Sequence, residues 1–163
     1  MIEKDYYELI KNAFEKLFKI KGDIYLEITA DKQLSNKLKT EVSNHRGIVF
    51  YFLREARPDI CGYFKREDHL VQFIIIEVKN TVLKLDDIHQ TRKYAELLEG
   101  RFVFLVSTKE IPEEIKKLHQ VSYSLLSLPY SYDKIILCQF DEKSNEIVDW
   151  YEKNLFEDDY IWK

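Results

Sequence analysis

The sequence predicts an α/β fold, a mixed central sheet flanked by helices, in a single domain. Three observations predict it. Helical periodicity and strand-like runs alternate along the 163 residues. The run "FIIIEVKN", Phe73 to Asn80, is apolar on both alternating faces before Glu77, which marks a central strand covered on both sides. Only four glycines and three prolines occur, too few for a flexible linker, and the length suits one sizeable core.

Each element has its own signal. Residues 3–20 place Tyr6, Leu9, Ile10, Ala13, Phe14 and Leu17 at helical spacing, with Gly22 as a stop just beyond. "DIYLEITA" (23–30) alternates as a strand, and residues 32–44 set Leu34, Leu38 and Val42 four apart, a short helix. Gly47 leads into "IVFYFL" (48–53), whose β-branched and aromatic residues predict a strand. "PDICGYF" (58–64) is a strand, "KREDH" (65–69) its turn and "LVQFIIIEVKN" (70–80) the return strand. Asp86 or Asp87 caps a helix running to about Glu99 by offering an oxygen to free amide donors. Gly100 ends it, where a left-handed residue is often required. "RFVFLVS" (101–107) is a strand, and residues 112–127 are a helix with Pro112 in its first turn. Residues 134–140 and 146–151 form a terminal hairpin around "DEKSN", followed by an acidic, aromatic tail that docks on the body.

Composition narrows the functions. With 25 basic and 29 acidic residues the net charge is −4, which argues against a general polycation coating nucleic acid. It leaves room for a local basic patch. Cys61 and Cys138 have no metal-ligand spacing and suit a reducing, cytoplasmic setting, and two thiols exclude a four-cysteine site within one chain. His45, His69, His89 and His119 show no ligand pattern either. No secretory signal is expected, and no stretch approaches the ~18 apolar residues of a membrane span. Tyr123 and Tyr130 are candidates for the surface of a homodimer.

The chemistry concentrates at the end of the apolar run. Val71, Phe73, Ile75, Glu77 and Lys79 share one strand face, so Glu77 and Lys79 project together, roughly 6–7 Å apart. Pairing Phe64 with Leu70 across the turn sets Asp59 opposite Ile75, one same-face step from Glu77. A small register change sets Asp59 opposite Glu77 itself. Two carboxylates and a lysine then converge, a grouping suited to Mg²⁺ (or Mn²⁺), which takes one or two carboxylates, waters and substrate phosphate. Asp59, Glu77 and the Val78 backbone carbonyl are the candidate metal ligands. Lys79 would orient or deprotonate a water, or stabilise charge developing on phosphate.

In their order, Pro58-Asp59, then Glu77-x-Lys79 at the end of an apolar strand, then "QTRKY" with Gln90 and Tyr94 one helical turn apart, resemble the PD-(D/E)xK nuclease superfamily. The last element is similar to the Q-x-x-x-Y motif of RecB-like nucleases, and "PDI…IIIEVKN" to archaeal Holliday-junction resolvases. The similarity covers roughly residues 57–107. It implies a restriction-endonuclease-like fold and a magnesium-dependent deoxyribonuclease, a phosphodiester hydrolase acting on DNA in repair, recombination or defence. The alternative on the same fold is a catalytically inactive module that binds nucleic acid or a protein partner.

The resemblance implies that Asp59, Glu77 and Lys79 are catalytic, and that a first-helix glutamate completes the site. By helical phase that is Glu3, with Glu8 or Glu15 as alternatives. Gln90 and Tyr94 would support substrate binding, as would Arg57 and Arg92, with Arg54, Lys93 and His89 as further phosphate contacts. Residues 23–47 look like an insertion relative to the smallest members, and residues 134–163 like an appended hairpin and tail. Taken singly, each motif has a plainer reading. An E-x-K is usually a charged strand exit, and Pro-Asp commonly follows a turn.

Overall fold

The computed structural model describes residues 1–68 and 70–162, so His69 and the end of the 65–69 turn lie outside the described residues. The fold is mixed α/β. Six strands form one sheet: β1 (Asp23–Ile28), β2 (Ile60–Lys65), β3 (Val71–Lys79), β4 (Phe102–Ser107), β5 (Ile135–Asp141) and β6 (Glu146–Val148). They lie side by side in sequence order. β2 runs antiparallel to both β1 and β3, β3, β4 and β5 are parallel, and β6 returns antiparallel to β5.

The parallel strands β3 and β4 are buried on both faces, as their unbroken apolar runs require. Helix α1 (Tyr7–Lys19) covers one face, burying Ile10, Ala13, Phe14 and Phe18 against Phe102 and Phe104. The tail docks beside it. Trp162 stacks on Phe102 with ring centroids 5.2 Å apart, and Phe156 meets Phe18 edge-on at 4.9 Å. The other face carries α2 (Asn36–Lys39), α3 (Val49–Phe52), α4 (Leu85–Leu98) and α5 (Glu113–Val121), packed on Cys61, Ile75, Val103, Leu105 and Leu137. Among the described residues no helix is long and apolar enough to cross a membrane.

Several local expectations are corrected. Residues 48–53 are not a strand; Val49 and Leu53, four apart, turn inward as the one-turn helix α3. The helix expected over 32–44 shrinks to Asn36–Lys39, capped by Ser35, whose hydroxyl accepts the Leu38 amide at 3.2 Å. Lys84, not an aspartate, occupies the cap of α4. Asp87 acts from inside the first turn, accepting the Lys84 amide at 2.9 Å. At the far end Glu99, not Gly100, takes the left-handed conformation, with φ 49°. A Cβ at Gly100 would press on Ile75 Cδ1. Pro112 precedes the first turn of α5, which ends at Val121. Tyr130 donates its hydroxyl to the Gly100 carbonyl at 2.7 Å, an internal brace, whereas Tyr123 is exposed.

Candidate functional site

The β2–β3 register is shifted from the first expectation. Phe64 pairs with Gln72 and Ile60 with Ile76, so the next pair outward is Asp59 and Glu77. Asp59 lies just beyond the last ladder pair, where backbone groups lose their regular partners. The two carboxylates take over as acceptors. The Asp59 amide donates to Glu77 Oε1 at 3.0 Å, and the Val78 amide donates to Asp59 Oδ2 at 2.8 Å. Each acid is thus clamped to the other's strand. Asp59 is 9% exposed and Glu77 2%.

Glu3 reaches the same place. Asn80, directly after β3, donates its side-chain amide to the Met1 carbonyl at 2.8 Å, which ties the chain start to the strand end. The turn Glu3–Tyr6 then sets Tyr7 so that its hydroxyl lies 3.1 Å from Asp59 Oδ1 and 3.3 Å from Glu3 Oε1. Glu8 and Glu15 instead pair with Lys11, at 3.7 and 2.6 Å. On the α4 side, Lys79 Nζ lies 3.8 Å from Asp87 Oδ1. Gln90 donates to the Tyr94 hydroxyl at 3.4 Å, and Tyr94 feels the charges of Glu77, Asp59 and Lys79.

The electrostatics follow from this crowding. Burial pushes Asp59 up to about 6, with the Glu3 charge adding to it, while the Val78 amide, Tyr7 and Lys79 oppose it. Glu77 rises well above the usual carboxylate range, first through burial and then through Asp59. Burial also raises the Tyr7 and Tyr94 hydroxyls, so both stay protonated donors at neutral pH. Neither cysteine offers a nucleophile. Both are free and buried, and burial pushes Cys61 up to about 12.

The candidate phosphate contacts are placed elsewhere or otherwise engaged. Arg57 donates Nε to the Thr29 carbonyl at 2.9 Å and Nη1 to the Leu53 and Arg54 carbonyls. Arg92 donates to the Ser127 and Leu125 carbonyls and meets His89 Nδ1 at 3.1 Å, which ties α4 to the segment after α5. Lys93 lies over the Tyr94 ring, 5.0 Å from its centroid. Sequence reasoning missed Tyr7 and the Asp87 partner of Lys79. Only the second carried a signal: Asp87 lies in the first helical turn after the charged strand end.

A cavity of about 430 Å³ opens among Arg101, Asp133, Lys134, Tyr151 and Glu152. Among the described residues no group of three or more His, Cys, Asp or Glu side chains is poised around a common point for a metal. Comparisons with known protein families, curated proteins and solved structures give no match.

Proposed function

We propose that the chain is a divalent-cation-dependent deoxyribonuclease of the PD-(D/E)xK type, on a restriction-endonuclease-like sheet. The observation that carries the reading is the mutual clamp of Asp59 and Glu77 at the end of β3. An asparagine and a glutamine would accept the same two amide protons without burying charge. Burying two neighbouring carboxylates is costly, and such cost concentrates where charge is used.

The residues suit a hard divalent cation. They offer carboxylate oxygens from Asp59 and Glu77 beside the Val78 carbonyl, a donor set matched to Mg²⁺ or Mn²⁺. Such an ion, when bound, lowers the pKa of an attacking water and offsets phosphate charge. The chain does the rest. Tyr7 fixes the orientation of Asp59, and Glu3 adds a third carboxylate through the same hydroxyl. Lys79, braced by Asp87, presents its ammonium to the water or to the phosphate oxygens, where charge grows as water oxygen bonds to phosphorus and the ester bond breaks. Gln90 and Tyr94 support the strand end and meet DNA.

A catalytically inactive binding module is the second reading. One observation favours it: Asp59 Oδ1, Asp59 Oδ2 and Glu77 Oε1 already serve protein donors. Cleavage of single-stranded, duplex and branched DNA with Mg²⁺ separates the two. Wild type cuts, while Glu77→Ala and Lys79→Ala do not. Equal behaviour of all three discards the enzyme. Salt-sensitive DNA binding without cleavage or metal uptake selects the inactive module.

A further inference from the structure

One segment of this acidic chain is net basic. Residues 32–57 hold six basic and two acidic residues, whereas the rest holds nineteen basic and twenty-seven acidic. The same segment exposes aromatic rings. Helix α3 is anchored by buried Val49 and Leu53, which turns Tyr51 and Phe52 outward at 61% and 60% exposure. The two rings meet edge-on at 5.2 Å. Arg54 lies over Tyr51 at 5.6 Å, Lys39 over Phe50 at 5.5 Å and Lys37 over Tyr25 at 4.0 Å. None of these three cations has an ion-pair partner among the described residues. Tyr51 stands between two open hollows. Gln33, Lys39, Phe50 and Arg54 line one of about 450 Å³, and Gln33, Phe52, Arg54 and Glu55 line the other, of about 570 Å³.

The ledge is braced to the carboxylate end of the sheet. Arg57 bonds the Leu53 and Arg54 carbonyls at the exit of α3 and also the Thr29 carbonyl. The Thr29 amide donates to the Asp59 carbonyl at 2.8 Å, and its hydroxyl to the Pro58 carbonyl at 2.6 Å. Val49 and Leu53 belong to the same core as Cys61 and Ile75, so the ledge and the acids lie on one face of the sheet.

We propose that Tyr51 and Phe52, with Lys37, Lys39 and Arg54, form a base-stacking ledge that takes single-stranded DNA and leads its backbone to Asp59 and Glu77. This rests on the nuclease reading for the strand's destination and names the form of DNA that the site receives. Exposed rings among unpaired cations suit single strands, because stacking needs unpaired bases while the cations follow phosphates. A duplex offers the phosphates but keeps its bases inside.

The test is fluorescence anisotropy in EDTA with a labelled oligo-dT, its abasic counterpart and a duplex. The proteins are wild type, Tyr51→Ala/Phe52→Ala and Tyr51→Trp. Wild type binds oligo-dT, the double variant binds at least about tenfold more weakly, and Tyr51→Trp retains affinity. The abasic strand binds wild type no better than the double variant. Thermal unfolding of the double variant matches wild type, since both rings are exposed. Equal oligo-dT affinity of wild type and the double variant overturns the ledge, as do equal affinity for abasic and dT strands, a preference for duplex, or no binding. Cleavage with an irrelevant ledge would leave the nuclease reading standing. Ledge-dependent binding without cleavage would remove the nuclease reading and keep the ledge.

Discussion

Replacing Glu77 by glutamine keeps an acceptor for the Asp59 amide and removes a buried charge. Asp59 and Glu77 both hold protons in the folded state at pH values where the unfolded chain has released them. Stability from this source is complete below the unfolded value, 3.8 for Asp59, and falls as pH rises through about 6. Glu77→Gln is therefore expected to raise stability at pH 8 in urea unfolding, with no gain at pH 4 and with cleavage abolished. A loss of stability at pH 8 would contradict the electrostatic account. Tyr7→Phe removes the hydroxyl between Glu3 and Asp59. Calorimetry should show Mn²⁺ affinity reduced about tenfold, the usual scale for a group that orients a ligand, with unfolding little changed. Unaltered affinity would make Tyr7 a packing residue only. At this scale the acids and Lys79 were legible in the sequence because their strand is unambiguous. Tyr7 was not, since a hydroxyl on an amphipathic helix carries no mark of the carboxylate it will meet.

At the scale of elements, the hairpin was legible but its register was not. The turn could close on Phe64–Leu70 or Phe64–Gln72, and both keep every side chain on its proper face. The observed pairing puts Asp59 opposite Glu77. The segment "IVFYFL" misled for a related reason. Its residues favour strands, but burial of Val49 and Leu53 at helical spacing overrides that preference. Gly62 shows why β1 and β2 approach as they do. Any Cβ there would overlap the Tyr25 carbonyl oxygen across the strand pair. Gly62→Ala is expected to cost about 3 kcal/mol or more, seen as a lowered denaturation midpoint, because backbone must move to make room. A midpoint equal to wild type would mean that the strand edge yields freely.

For the whole molecule, the site depends on contacts that no local pattern announces. Met1 is held by Asn80, Tyr7 by Asp59 and Lys79 by Asp87, drawing the chain start, both hairpin strands and α4 to one end of the sheet. That end carries the C-termini of the parallel strands β3, β4 and β5, where open α/β sheets place their ligands. A cation taken up there should stabilise the fold by mass action. At a hundredfold excess over its Kd the gain is about 2.7 kcal/mol. Mg²⁺ is accordingly expected to raise the Tm at pH 8, to do so less at pH 5, where protons compete for the raised carboxylates, and to leave Glu77→Gln unmoved. An equal rise for wild type and Glu77→Gln would place the ion elsewhere. The most direct measurement is the anomalous signal of a crystal soaked in Mn²⁺. The account predicts a cation in contact with the carboxylates of both Asp59 and Glu77. Clear density for these side chains with no ion between them, or Mn²⁺ bound only at other acids, would contradict it.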